Sequence, residues 1–301
     1  MASTTVAPIP RLIYGTAWKK AQTAPLVVSA LSAGFRGLDT AASHHYYEEG
    51  VGAGLRTWLT QNPRTISRSS LYIQTKFSPA PSELPIPDQV HSQIATSLKR
   101  LSVSDSLFKD GPEASTPPDE NPDFYLDCVL LHSPYAAHED TLSAWRALES
   151  YVPHRIRTIG ISNVDLDELH ALCNDAAVKP VVVQNRLNPK EAYNTPVRVF
   201  CREHGINFQS FWTLTANPGI VKSDYVGKIA AAVGVSNETA MYSLVLGLGD
   251  HVSVLDGTTN ESRMKGDLEG VEKVAAWAAG EGSALWKASL GAFKTVLGDT
   301  D

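Results

Sequence analysis

Short runs of consecutive apolar residues recur along the chain, and one after another ends on a polar side chain. Phe35-Arg36-Gly37-Leu38 ends in Asp39, Leu71 to Thr75 in Lys76, Cys128 to Leu131 in His132, Ile156 to Ile161 in Ser162-Asn163, and Val181 to Val183 in Gln184. Such runs, bounded by turn residues, read as buried strands. The first falls near 11–16, the seventh at 206–211 and the eighth at 251–255. Between them lie segments with helical spacing, at 24–33, 50–60, 88–101, 141–151, 165–175, 195–204, 221–233, 237–246 and 260–279. In 88–101 the stripe is Val90, Ile94, Leu98 and Leu101. A last segment, 284–297, reads as a short helical C-terminal tail.

Strand and helix alternate from end to end, which implies parallel βαβ units. From Asp39 to Asp256 the strand ends recur about every 36 residues, with no repeated sequence pattern of the kind a solenoid carries. The expected fold is therefore an α/β (β/α)8 TIM barrel of eight parallel strands. All the polar strand ends then converge on its C-terminal rim, where such barrels carry their active sites.

The 301 residues are 43% hydrophobic, enough for one barrel domain spanning 1–301. The stretch 102–123 breaks the rhythm. It is rich in Pro, Ser, Asp and Glu, and is expected to be a flexible insertion between a helix and the next strand, on the face away from the site. A formal charge of −6 argues against nucleic acid as a partner. Cys128, Cys173 and Cys201 are scattered beside apolar segments and read as reduced thiols, with no metal site. No stretch of 18 apolar residues and no basic leader precedes the first strand, so a soluble, cytoplasmic, monomeric protein without a membrane partner is expected.

Gly34 to Ala41, Val51-Gly52, Gln74-Thr75-Lys76, Leu130 to Pro134 and Gly160 to Asn163 together resemble the aldo-keto reductase superfamily, in the same order, each of the strand motifs at a strand end. The match runs from Gly15-Thr16 to Arg263 and Asp267. The resemblance implies a catalytic Asp, Tyr, Lys and His, matched by Asp39, Lys76 and His132. The tyrosine position departs from the usual spacing, which would fall on His44; counting back from Val51-Gly52 favours Tyr46, with Tyr47 as the alternative. A tyrosine hydroxyl can deliver a proton to a nascent alkoxide if Lys76 lowers its pKa, with Asp39 holding the lysine and His132 orienting the carbonyl.

The same resemblance implies a nicotinamide site at Ser162, Asn163 and Gln184, whose polar side chains suit a carboxamide, with Phe211 stacking on the ring and Trp212 and Leu214 following in the pyrophosphate loop. Gly15, Thr16 and Asp39 border it. Gly257, Thr258, Thr259, Arg263 and Asp267 would meet the adenosine end, although the usual lysine is missing there and Asp256 stands beside the gap. NADP(H) is the expected cofactor and NAD(H) the alternative. Trp18, Lys19, Tyr46, Tyr47, Phe77, His132, Tyr135 and Trp212 are expected to wall the pocket for a small carbonyl or alcohol substrate. A cofactor-binding regulatory subunit, like those of potassium channels, and a non-redox barrel enzyme are the alternatives.

Overall fold

Eight parallel strands close in chain order, each paired with the next and the last with the first. In the computed structural model, which describes residues 8–62, 66–103 and 124–299, they are β1 (Leu12–Gly15), β2 (Gly37–Asp39), β3 (Tyr72–Phe77), β4 (Leu126–Leu131), β5 (Ile156–Ser162), β6 (Val182–Arg186), β7 (Asn207–Phe211) and β8 (Val252–Asp256). The helices are α1 (Thr23–Ala33), α2 (Glu48–Gln61), α3 (Ile86–Leu101), α4 (His138–Glu149), α5 (Leu166–Asp175), α6 (Thr195–Glu203), α7 (Pro218–Val221), α8 (Asp224–Val233), α9 (Asn237–Leu246), α10 (Glu261–Ala279) and α11 (Ser283–Leu297). This is the (β/α)8 barrel, with α11 as its C-terminal tail. Of the expected insertion, 102–123, all but Ser102 and Val103 lies outside the described residues.

Local chemistry explains the element boundaries. Pro85 and Pro87 flank the start of α3, Asp88 lies in its first turn and Lys99 and Arg100 in its last, which complements the helix dipole. Its buried stripe is Val90, Ile94, Ser97, Leu98 and Leu101. A reciprocal capping box between Asp165 and Glu168 opens α5. Gly234, at φ +72°, closes α8 in the left-handed conformation that glycine adopts freely.

Strand alternation sorts side chains into two cores. Ile13, Tyr72, Cys128, Leu130 and Val182 form the floor of the barrel interior. The opposite faces pack under the helices in one large apolar cluster. Phe77 belongs to that outer cluster and is 1% exposed. It follows Lys76 by one residue, so strand pleating turns it away from the mouth; its expected place on the pocket wall is corrected accordingly. Among the described residues, no single helix is long and apolar enough to cross a membrane.

The Val51-Gly52 motif also has a packing reason. A Cβ on Gly52 would lie 1.9 Å from the Arg100 carbonyl oxygen, so α2 and α3 approach this closely only over a hydrogen atom. Gly52→Ala is predicted to cost at least about 2 kcal/mol, from overpacking. Urea unfolding checks this, and a loss under about 0.5 kcal/mol would mean that the helices have room to part.

Candidate active site

A polar layer lies above the apolar floor, built from inward positions of four strands. Lys76 Nζ donates to both oxygens of Asp39 at 2.8 and 2.7 Å, and to the Thr40 carbonyl at 2.9 Å. Asp39 Oδ1 also accepts from Gln74 Nε2 at 2.7 Å and Gln184 Nε2 at 3.0 Å. Gln209 Oε1 receives those same two amides at 2.7 and 2.9 Å, and Gln209 Nε2 donates back to Gln74 at 3.0 Å. All five side chains are buried. Burial alone would push the Lys76 ammonium down, but Asp39, with Tyr46, more than reverses this and holds its pKa above the usual lysine value. Gly15 and Thr16 border the layer, and the Thr16 hydroxyl donates to the Asp39 carbonyl at 2.8 Å.

Tyr46 stands over this pair. The Lys76 ammonium lies 5.0 Å from its ring centre, and the His132 ring is 6.2 Å away, edge-on. Burial pushes the Tyr46 hydroxyl up and Lys76 opposes it without cancelling it, so the expected lowering by Lys76 is only the smaller of two effects. Tyr47 packs beside Gly50 and is half exposed, away from Lys76. His132 Nδ1 pairs with the Ser78 hydroxyl at 2.7 Å. Burial, followed by the Lys76 charge, pushes His132 down to about 4. It is therefore neutral at ordinary pH, and if Ser78 donates to Nδ1, Nε2 carries the proton.

The loop before α2 brings two further rings to the mouth. The His45 ring lies tilted against Trp18 and His44, with ring centres 3.9 and 3.6 Å apart, and the Trp18 amide donates to the His45 carbonyl at 2.7 Å. Trp18 adopts φ +64° and is 64% exposed. A cleft of about 540 Å³ runs from His44 and Tyr46 along α3 to Arg100. Tyr135 lies on the loop after β4 with its hydroxyl buried and unpartnered.

On the opposite side, Asn163 sits at φ +54° just past β5. Its Nδ2 donates to the His132 carbonyl at 2.8 Å and to Ser162 Oγ at 3.1 Å, while Oδ1 is buried without a partner. The Ser162 hydroxyl is spent on the Gln184 carbonyl at 2.6 Å. The donors of Gln184 are spent in the polar layer, which leaves its oxygen for an incoming amide. Phe211 faces the mouth, with Trp212 edge-on beside it; Leu214 packs against the outer core.

Around the end of β8, Thr258, Thr259 and Arg263 are partly or fully exposed, with Asn260 capping α10 through the Arg263 amide at 3.0 Å. Lys19 donates to the Gly257 carbonyl, and its ammonium lies 3.8 Å from where a Cβ on Gly257 would stand. A positive charge thus reaches the turn that lacks a lysine of its own. Asp267 does not join this group. It is buried on α10 and accepts from Thr239 at 2.5 Å. Asp256 is buried as well and accepts from the Thr258 amide at 2.9 Å. Burial, with Asp267 close by, pushes Asp256 up to about 6.

Two sets of residues at the site carry no role in the sequence expectations, Gln74 standing there only as part of a motif. Gln74 and Gln209 lie inside apolar strands, and their shared inward phase with Lys76 and Phe211 was the available signal. Arg186 is two positions past Gln184 on the same face of β6, beyond the point where the apolar run ends. Among the described residues no group of three or more His, Cys, Asp or Glu is placed to hold a metal ion.

Comparison with known proteins gives a consistent answer. The model of the Aldo/keto reductase family matches residues 11–232. The oxidoreductase YtbE of Bacillus subtilis (strain 168) is 28% identical over 240 residues, 79% of this chain and 74% of that protein. D-galacturonate reductase of Fragaria ananassa is 30% identical over 268 residues, 81% of this chain and 74% of its own length. A solved structure of a Bombyx mori aldo-keto reductase in complex with NADP has a TM-score of 0.68 at 22% identity, covering 91% of this chain and 92% of that one. At that identity the likeness speaks for the fold alone.

The Asp256 carboxyl yields a pH prediction. Its raised pKa means that its contribution to stability is full below the ordinary carboxylate value and is lost as pH rises through about 6. Asp256→Asn mimics the neutral form, so it should stabilise the chain at pH 8 by roughly 1–3 kcal/mol, with the gain closing by pH 4. Thermal melts across that range check it; a variant less stable at pH 8 than at pH 5, relative to the parent, would contradict the assignment.

Proposed function

The chain belongs to the aldo/keto reductase family, and on that footing we propose that it is an NADP(H)-dependent reductase of aldehydes or ketones, or a dehydrogenase of the corresponding alcohols, with Tyr46 as its acid–base. The observation that carries this reading is the placement of Tyr46 over the buried, charged Lys76 and edge-on to a neutral His132.

Each of these side chains has a separable task. Burial keeps Tyr46 protonated and ready to donate, while the Lys76 ammonium stabilises the tyrosinate left behind. Asp39 keeps Lys76 charged and fixed. His132, positioned by Ser78, offers its Nε2–H to the carbonyl oxygen and adds no competing positive charge. In the oxidising direction the same tyrosine takes the proton back. A bound nicotinamide supplies or accepts the hydride.

The residues present fit such a cofactor. Asn163 Oδ1, buried and unpartnered, and the free oxygen of Gln184 can accept from a carboxamide NH2. The Phe211 ring at the mouth offers a face for the nicotinamide. Lys19, Arg263 and the backbone of Gly257, Thr258 and Thr259 at the start of α10 suit phosphate. Lys19 favours NADP(H) over NAD(H), because it supplies the charge missing at Gly257.

Loss of NADPH absorbance with 4-nitrobenzaldehyde tests the activity. Tyr46→Phe should lower kcat by about 10²–10⁴-fold, with NADPH affinity by fluorescence unchanged. Binding without turnover on a broad carbonyl panel would instead favour a regulatory or non-redox role. Lys19→Met should weaken NADPH binding about tenfold, with NADH binding changed far less. Equal losses for both nucleotides would remove Lys19 from the 2′-phosphate.

A further inference from the structure

Arg186 lies at the mouth of the barrel for a reason that strand geometry makes plain. Val182, Gln184 and Arg186 alternate onto the inward face of β6; Val182 sits in the barrel floor and Gln184 reaches Asp39 in the polar layer. Two residues along a strand advance about 6.6 Å, so Arg186 projects inward one layer above that pair. Its register partner is Phe211, which faces inward on β7 by the same alternation. The guanidinium carbon lies 5.5 Å from the Phe211 ring centre and 5.0 Å from that of Trp212, within the range of a cation–π contact.

One edge of the guanidinium is anchored. Arg186 Nη1 donates to Glu191 Oε1 at 3.2 Å, its one polar side-chain partner among the described residues. The anchor is itself held. Glu191 Oε2 accepts from Asn194 Nδ2 at 3.0 Å, the same Nδ2 donates to the Arg186 carbonyl at 2.8 Å, and Asn185 Nδ2 donates to Asn194 Oδ1 at 2.9 Å. To make these bonds, Ala192, Tyr193 and Asn194 adopt φ of 46°, 54° and 55° in succession. Left-handed backbone is costly for a non-glycine residue, so three in a row persist only where the surroundings impose them. Trp212, at φ +56° and 51% exposed, is a fourth strained residue touching the same guanidinium.

The outcome of this strain is a cation clamped by two aromatic rings and a carboxylate, with Nη2 and Nε uncommitted and the side chain 34% exposed. A guanidinium presented edge-first suits the two oxygens of a carboxylate or phosphate. The carboxylate beneath it in the polar layer, Asp39, is neutralised by Lys76. Arg186 is also close enough to His132 to add, after burial and Lys76, to the effects that keep that ring neutral.

We propose that Arg186 is a specificity residue of this site, binding an anionic group on the substrate while the carbonyl rests on Tyr46 and His132, so that the preferred substrates are carbonyl compounds bearing a carboxylate or phosphate. This rests on the reductase reading. The clamp accounts for the strained loop after β6, which neither barrel closure nor the acid–base group requires. Glu191 tempers the cation and sets its edge toward the mouth.

The test compares 4-carboxybenzaldehyde with its neutral methyl ester, using the full chain and NADPH. The parent should prefer the carboxylate in kcat/KM. Arg186→Met should lose about 10–100-fold on the carboxylate, the size of one charge-assisted contact, and less than about threefold on the ester. Arg186→Lys should recover part of the loss. Glu191→Gln should move the other way and raise the preference for the carboxylate, which a merely structural role would not do. No preference in the parent, equal losses on both aldehydes, or a loss that tracks weakened NADPH affinity would each overturn the proposal, the last by assigning Arg186 to the cofactor's phosphates. If neither aldehyde turns over while NADPH binds, the reductase reading fails by itself. Terephthalate titrated against the fluorescence of bound NADPH then decides the anion site. Binding lost in Arg186→Met supports it, and no binding to the parent overturns it.

Discussion

Everything at the catalytic end of this barrel depends on one buried ion pair, Lys76 with Asp39. Taking two charges out of water is costly, and such a pair persists only where hydrogen bonds satisfy both partners. Here they do. The ammonium is met by three oxygens, and the carboxylate by two glutamine amides besides the lysine. Those amides come from β3 and β6 and meet again at Gln209 on β7, so the network ties separate strands across the barrel interior. Removing one partner of a buried pair commonly costs about 3–5 kcal/mol. That cost is the penalty of a stranded charge, so neither partner can be lost alone, and together they set the potential felt by Tyr46.

The fold separates two tasks by height. Below the pair, the interior is apolar and close-packed. Above it, side chains from the strand ends and their loops face a common opening, and strained backbone collects there: Trp18, Asn163, Trp212 and residues 192–194 all adopt left-handed φ. None of these is glycine. Each points a side chain or a carbonyl at the mouth, or supports one that does. Glycine is used instead where bulk must be absent, as at Gly52 between α2 and α3, and at Gly160, where a Cβ would meet Val182 and Leu130 inside the barrel.

The sequence made the architecture legible because a parallel barrel repeats one physical unit. Apolar runs of strand length and stripes such as Val90, Ile94, Leu98 and Leu101 mark its parts directly. Asp39, Lys76 and His132 could be found because each follows an apolar run at the rim. What escaped was what depends on phase and depth. Phe77 follows Lys76 in sequence but faces the other side of the sheet. Gln74 and Gln209 look like polar interruptions of a core strand until a partner across the barrel explains them. Asp267, expected near the cofactor, turns inward to Thr239. Arg186 needed the knowledge that β6 continues two residues past Gln184. The choice between Tyr46 and Tyr47 also depended on three-dimensional placement, since one faces Lys76 and the other Gly50.

A charged Lys76, locked by Asp39, lies directly beneath Tyr46. The most direct measurement is the proton–nitrogen correlation spectrum of the lysine ammonium groups at neutral pH, recorded for the native chain and for Tyr46→Phe. A buried, hydrogen-bonded ammonium exchanges slowly with water and should give a protected resonance, whereas surface lysines exchange too fast to be seen. Lys76 is expected to give such a signal, and it should shift clearly when the Tyr46 hydroxyl is removed. No protected signal, or one that stays in place in Tyr46→Phe, would contradict this placement.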